Sequence, residues 1–127
     1  METLLFILLV IVLGWDLFWA LLGVKPLFPW QLQQQMARDS SAPALLDVRT
    51  SWEFHWFHLP GAQNMPFEKG LPRDLAIPRE KAVVVICMTG HRSPPVAYRL
   101  LQAGYPRVYN LTGGMAGWKL WKWVTGK

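Results

Sequence analysis

Residues 82–95 read Ala82-Val83-Val84-Val85-Ile86-Cys87-Met88-Thr89-Gly90-His91-Arg92-Ser93-Pro94-Pro95, and the order of residue types in them decides the fold class. Ala82 to Ile86 is apolar and rich in β-branched side chains, which predicts a buried strand. Pro94 and Pro95 suit the first turn of a helix, where N–H groups lack partners, so a helix is expected behind Ser93, read as its cap. Strand, short loop and helix in this order aim loop amides and a helix N-terminus at one point, a place that stabilises an anion. Cys87, the only cysteine of the chain, falls there. Two readings follow: a nucleophilic thiol whose charge the loop holds, or the buried, inert cysteine that is more usual.

Outward from this stretch, strands and helices alternate. Ala44-Leu45-Leu46-Asp47-Val48 reads as a short buried strand, Gln63-Asn64-Met65 as another, and Arg107 to Leu111 as a further one. Helices are expected from Trp30 to Arg38, from Thr50 to about Phe57, from Ser93 to the stop at Gly104, and from Met115 to Trp123. Thr50-Ser51-Trp52-Glu53 has the spacing of a capping box. Ser40-Ser41-Ala42-Pro43 is a loop, Gly113-Gly114 a turn, and Glu68 to Leu75 has room for a turn or two of helix. The alternation predicts an α/β fold, a central parallel sheet flanked by helices.

The first 24 residues are of different material. Thr3 to Val24 is apolar except for Gly14, Asp16 and Gly23, and as a helix it spans about 33 Å, enough for a bilayer core. We expect residues 1–24 to be a transmembrane helix, 25–29 a linker broken by Pro26 and Pro29, and 30–127 a single domain. A cleavable signal peptide needs a basic start and a small-x-small site; the start here is Met1-Glu2-Thr3. All 13 basic residues but only six of the eight acidic ones follow residue 24. That bias places the domain on the cytoplasmic side of a single-pass membrane protein, and it favours anionic lipid. Asp16 reads either as a contact with a membrane-protein partner or as a tolerated polar residue. No basic run supports nucleic-acid binding. Trp118-Lys119-Leu120-Trp121-Lys122-Trp123 suits either packing on the domain or a membrane interface. One cysteine and three scattered histidines offer no metal-ligand spacing.

These residues resemble the rhodanese family of sulfurtransferases. The matching pieces, in family order, are Leu46-Asp47-Val48-Arg49 with Glu53-Phe54, His58-Leu59-Pro60-Gly61-Ala62-Gln63-Asn64, the loop Cys87 to Ser93, Gly104-Tyr105 with Val108 to Leu111, and Gly113 to Trp118. The resemblance implies a persulfide carried on Cys87. Four residues separate Cys87 from Arg92, the loop size of the family's sulfur-transferring members. Related phosphatases and arsenate reductases have one residue more, a wider cradle for an oxyanion.

The implied chemistry is nucleophilic catalysis in two halves. Cys87 takes sulfur from a small sulfur-containing anion such as thiosulfate, and a thiol, cyanide or a sulfur carrier removes it; no cofactor is called for. Amides of Met88, Thr89, Gly90, His91 and Arg92 are expected to hold the substrate, with His91 and Arg92 drawing in the anion. Arg92 could instead pair with Glu53. Asp47 and Arg49 are expected to form a buried ion pair that fixes the loop. Ser93 is a supporting residue, and His58 is either a fixture of the Pro60-Gly61 turn or a base. A binding module that scaffolds at the membrane without catalysis is the alternative function. Pro94-Pro95, the aromatic Trp56-Phe57-His58 and the leading apolar helix depart from the family's pattern.

Overall fold

The computed structural model describes residues 1–37, 42–66, 75, 77–89 and 92–126. In chain order they form α1 (Glu2–Leu21), β1 (Lys25–Leu27), α2 (Pro29–Met36), β2 (Ala44–Asp47), α3 (Ser51–Trp56), β3 (Gln63–Asn64), β4 (Val83–Ile86), α4 (Ser93–Gln102), β5 (Val108–Leu111) and α5 (Gly114–Thr125). The strands make one parallel sheet in the order β1-β5-β4-β2-β3. The helical turns expected within Glu68 to Leu75 lie outside the described residues, Leu75 apart.

β4 is central because all four of its residues are apolar and buried, which only an interior parallel strand can accommodate. Side chains alternate along it. Val83 and Val85 face a core with Leu46, Val96, Leu100 and Val108 beneath α4. Val84 and Ile86 face a second core with Leu32, Leu45, Leu111 and Met115 beneath α2 and α5. Each such side chain, fully buried, contributes roughly 1.5–3 kcal/mol of transfer free energy. Tyr105 locks the end of the first core by donating its hydroxyl to the Ile77 carbonyl at 2.6 Å.

One boundary differs from expectation. Lys25–Leu27, expected as part of a linker, is the edge strand β1, with Lys25 beside Tyr109 and Leu27 beside Leu111. Burial of Val24 and Leu27 draws the chain onto the open side of β5. Pro26 is tolerated because an edge strand bonds along one side only. Pro29 then opens α2 in the first-turn position that suits proline. No residue of α1 is buried; only Asp16, Trp19 and Ala20 are half-buried.

Candidate active site

Parity along β4 decides where the thiol goes. Cys87 follows Val83 and Val85 on the α4 side and is fully buried at the carboxyl end of the central strand. In open α/β sheets this is the edge where ligands bind. The carbonyls of Cys87 and Met88 accept the amides of Met115 and Ala116 at 2.8 and 2.9 Å. Those are first-turn N–H groups of α5, which lack partners inside their own helix. C=O and N–H oppose each other across a trans peptide, so the N–H groups of Met88 and Thr89 turn away from α5. The close approach requires glycine at 114: its φ is +58°, and a Cβ there would lie 2.3 Å from the Cys87 carbonyl oxygen.

Ser93 departs from its expected role. Arg92 occupies the cap position of α4 and Ser93 is the first residue inside it. Its buried hydroxyl donates toward Cys87 Sγ at 3.3 Å and also contacts Asn110 Oδ1 on β5. The sulfur and Asn110, on neighbouring strands, compete with the helix end for this hydroxyl, and they win.

Asp47 and Arg49 form the buried ion pair that was expected, 2.7 Å apart with neither side chain exposed. Arg49 Nε adds hydrogen bonds to both Asp47 oxygens, and Nη2 donates to the Phe57 carbonyl at 2.6 Å. Asn64 Nδ2 reaches the carbonyls of Asp47 and Arg49, each at 3.1 Å. The ends of β2, α3 and β3 are thereby tied together beside β4. Glu53 accepts from Thr50 Oγ1 and Thr50 N, at 2.8 and 3.1 Å, which completes the capping box. Arg92 lies 3.6 Å from Glu53 with 48 % of its side chain exposed. Burial raises the Glu53 pKa, but the Thr50 hydrogen bonds and the charges of Arg92 and Arg49 outweigh it and hold the carboxyl below its ordinary value. Arg92 thus pairs with Glu53 and still offers half its side chain to solvent.

His58 lies with Phe54 and turned away from the sulfur. Its Nδ1 is 2.8 Å from the Phe54 carbonyl and its ring stacks on Phe54 at 3.9 Å. It lines a cavity of about 620 Å³ with Phe57, Met115, Trp118, Lys119 and Lys122, a lining that does not include Cys87. Met88 is half-buried and Thr89 exposed; Gly90 and His91 lie outside the described residues. Sequence reasoning did not single out Asn110, Asn64 or the Phe57 carbonyl. It read Gly114 only as part of a turn, although two glycines behind a strand signalled a close approach.

Residues 29–120 match the Rhodanese-like domain family. A sulfurtransferase of Allochromatium vinosum is 37% identical over 87 residues, 68% of this chain and 80% of that protein. A thiosulfate sulfurtransferase GlpE of Tolumonas auensis is 33% identical over 88 residues, 68% of this chain and 83% of that one. The crystal structure of a rhodanese-like domain protein from Staphylococcus aureus aligns with a TM-score of 0.66 at 26% identity, covering 75% of this chain and 91% of its own. Parallel sheet, cysteine at the end of the central strand and family match agree: the chain belongs to the rhodanese-like domain family.

Proposed function

We propose that the chain is a membrane-anchored sulfurtransferase that carries sulfur on Cys87. The Cys87 thiolate attacks the outer sulfur of a donor such as thiosulfate. The sulfur–sulfur bond breaks, sulfite leaves with the electron pair, and Cys87 holds a persulfide. An acceptor thiolate or cyanide then attacks the terminal sulfur, and Cys87 leaves as thiolate. The observation that carries this reading is the placement of Cys87 Sγ beside Ser93, at the start of α4, in a loop whose carbonyls are taken by α5. Loop amides freed from those carbonyls and the α4 N-terminus would stabilise negative sulfur in both forms. Arg92 would draw in the anionic donor, and the loop from Cys87 to Arg92 is sized for sulfur. Support for the anchor is the length and apolarity of Glu2–Leu21; the basic residues behind it favour a cytoplasmic domain.

Incubation of the full chain with thiosulfate should add the mass of one sulfur to Cys87, and Cys87→Ala should stay unmodified. If the wild type gains no sulfur from thiosulfate or from a small persulfide, the enzymatic reading fails and a scaffold role takes its place. Retention in the membrane after an alkaline carbonate wash tests the anchor. Labelling of Cys87 in sealed vesicles with an impermeant thiol reagent tests its side.

A further inference from the structure

The carboxyl ends of parallel strands share one edge, so every helix that directly follows a strand begins there, beside the Cys87 loop. Exposed aromatic side chains collect at that edge. Phe28 and Trp30, behind β1, stack at 4.9 Å with their planes 1° apart. Trp52 and Trp56, behind β2, stack at 6.3 Å and are 67% and 69% exposed. Strand order places β4 and its loop between the two pairs, which stand three strand spacings apart, about 14 Å.

α1 leaves the domain on the same side. Its half-buried residues Asp16, Trp19 and Ala20 share one helical face. The Trp19 ring meets Tyr98 of α4 at 6.0 Å, and a Cβ on Gly23 would lie 3.3 Å from Leu101. Stepping back from Gly23 to Trp19 moves the contact back from Leu101 to Tyr98, so α1 and α4 run side by side in one direction. α4 starts at the Cys87 edge. One turn before Trp19, Trp15 stands about level with Pro94, and the 14 residues ahead of it form about 20 Å of apolar helix rising past that edge. Trp15, Phe18 and Trp19 are the aromatic girdle typical of a helix leaving a bilayer. The exposed pairs lie at the same height.

We propose that the edge carrying Cys87 docks on the lipid surface, with Phe28, Trp30, Trp52 and Trp56 seated in the interface on either side of the catalytic loop. A single exposed aromatic means little. Two stacked pairs on separate elements, level with the girdle of an apolar helix, form a patch that lipid covers. The excess of basic residues in the domain and the half-exposed Arg92 at this edge suit anionic headgroups. Sulfur is then delivered and collected along the membrane surface. The inference rests on the anchoring of α1.

The test uses the full chain with Cys87→Ser, carrying one nitroxide at a time on Leu8→Cys, Trp30→Cys, Trp52→Cys, Trp56→Cys or Gln102→Cys, in vesicles of phosphatidylcholine with one quarter phosphatidylglycerol. Oxygen, which partitions into lipid, and a water-soluble nickel chelate are the relaxing agents. Labels at 30, 52 and 56 should show an oxygen-to-nickel ratio several-fold above that at Gln102, which ends α4 at the opposite edge. If they match position 102 while the label at position 8 reads as lipid, the anchor stands and the docking is overturned. If position 8 also reads as water, the anchor fails and docking fails with it. Labels at 30, 52 and 56 shielded from both agents would mark a protein contact, such as a second copy of the chain, and would overturn lipid docking.

Discussion

Gly114→Ala tests whether the cysteine loop and α5 are built on each other. The left-handed backbone at φ +58° costs a residue with a Cβ about 1–2 kcal/mol. The new Cβ would lie 2.3 Å from the Cys87 carbonyl oxygen and 2.6 Å from the Met88 carbonyl carbon, against the roughly 3.5 Å of an ordinary contact. Both are backbone atoms, so no side chain can swing aside. Either the loop or the start of α5 must shift by about 1 Å. That shift weakens the hydrogen bonds from Met115 and Ala116, each worth about 1 kcal/mol. With about 1 kcal/mol for overpacking, the loss comes to about 4–5 kcal/mol, a large part of a small domain's stability. Urea unfolding of the full chain in detergent micelles, followed by tryptophan fluorescence, reads this loss. Gly61→Ala is the control: its φ is +84° with open space around the added Cβ, so it should lose only the backbone strain. A catalytic sulfur displaced by about 1 Å should also slow persulfide formation about a hundredfold. If Gly114→Ala is no less stable than Gly61→Ala and forms persulfide at the wild-type rate, the coupling argued for loop and helix is refuted.

Asp47→Asn should cost about 3–5 kcal/mol, because it leaves the Arg49 charge buried without its partner; Asp47→Leu with Arg49→Met should recover much of that, and denaturant midpoints separate the two cases. The Glu53 carboxyl is held below its ordinary value of 4.5, so its stabilisation is complete above that pH and fades as pH falls through the folded-state value. The melting-temperature gap between wild type and Glu53→Gln should therefore narrow on acidification below 4.5; a gap that does not change with pH speaks against the assignment. Ser93→Ala removes the hydroxyl beside Cys87 Sγ and should slow alkylation of Cys87 by iodoacetamide about tenfold, the worth of one hydrogen bond to a charged group. An unchanged rate would show that the hydroxyl serves Asn110 alone.

The nucleophile was legible in the sequence because its position depends on local chemistry. An unbroken β-branched run makes β4 an interior strand, and parity then puts Cys87 on the α4 side of the sheet. The Thr50–Glu53 capping box was equally legible, its partners being three residues apart. What stayed hidden depends on chain segments far apart in sequence. β1 is a strand because β5, more than 80 residues later, offers an open edge to three residues that alone read as a proline-broken linker. Ser93 has the chemistry of a helix cap, and only Asn110 and Cys87, converging on it from neighbouring strands, turn its hydroxyl inward. Gly113 and Gly114 read alike in the sequence. The Cys87 carbonyl, 27 residues upstream, distinguishes them, since a Cβ on Gly113 would meet Gly117 at 3.1 Å and not the cysteine loop. A residue that supplies reactivity can thus be named from its neighbours in the chain, whereas the residues that aim it belong to segments that meet only when the sheet forms. Substitutions at Ser93, Asn110 and Gly114 should accordingly alter the rate of sulfur transfer while leaving Cys87 itself in place.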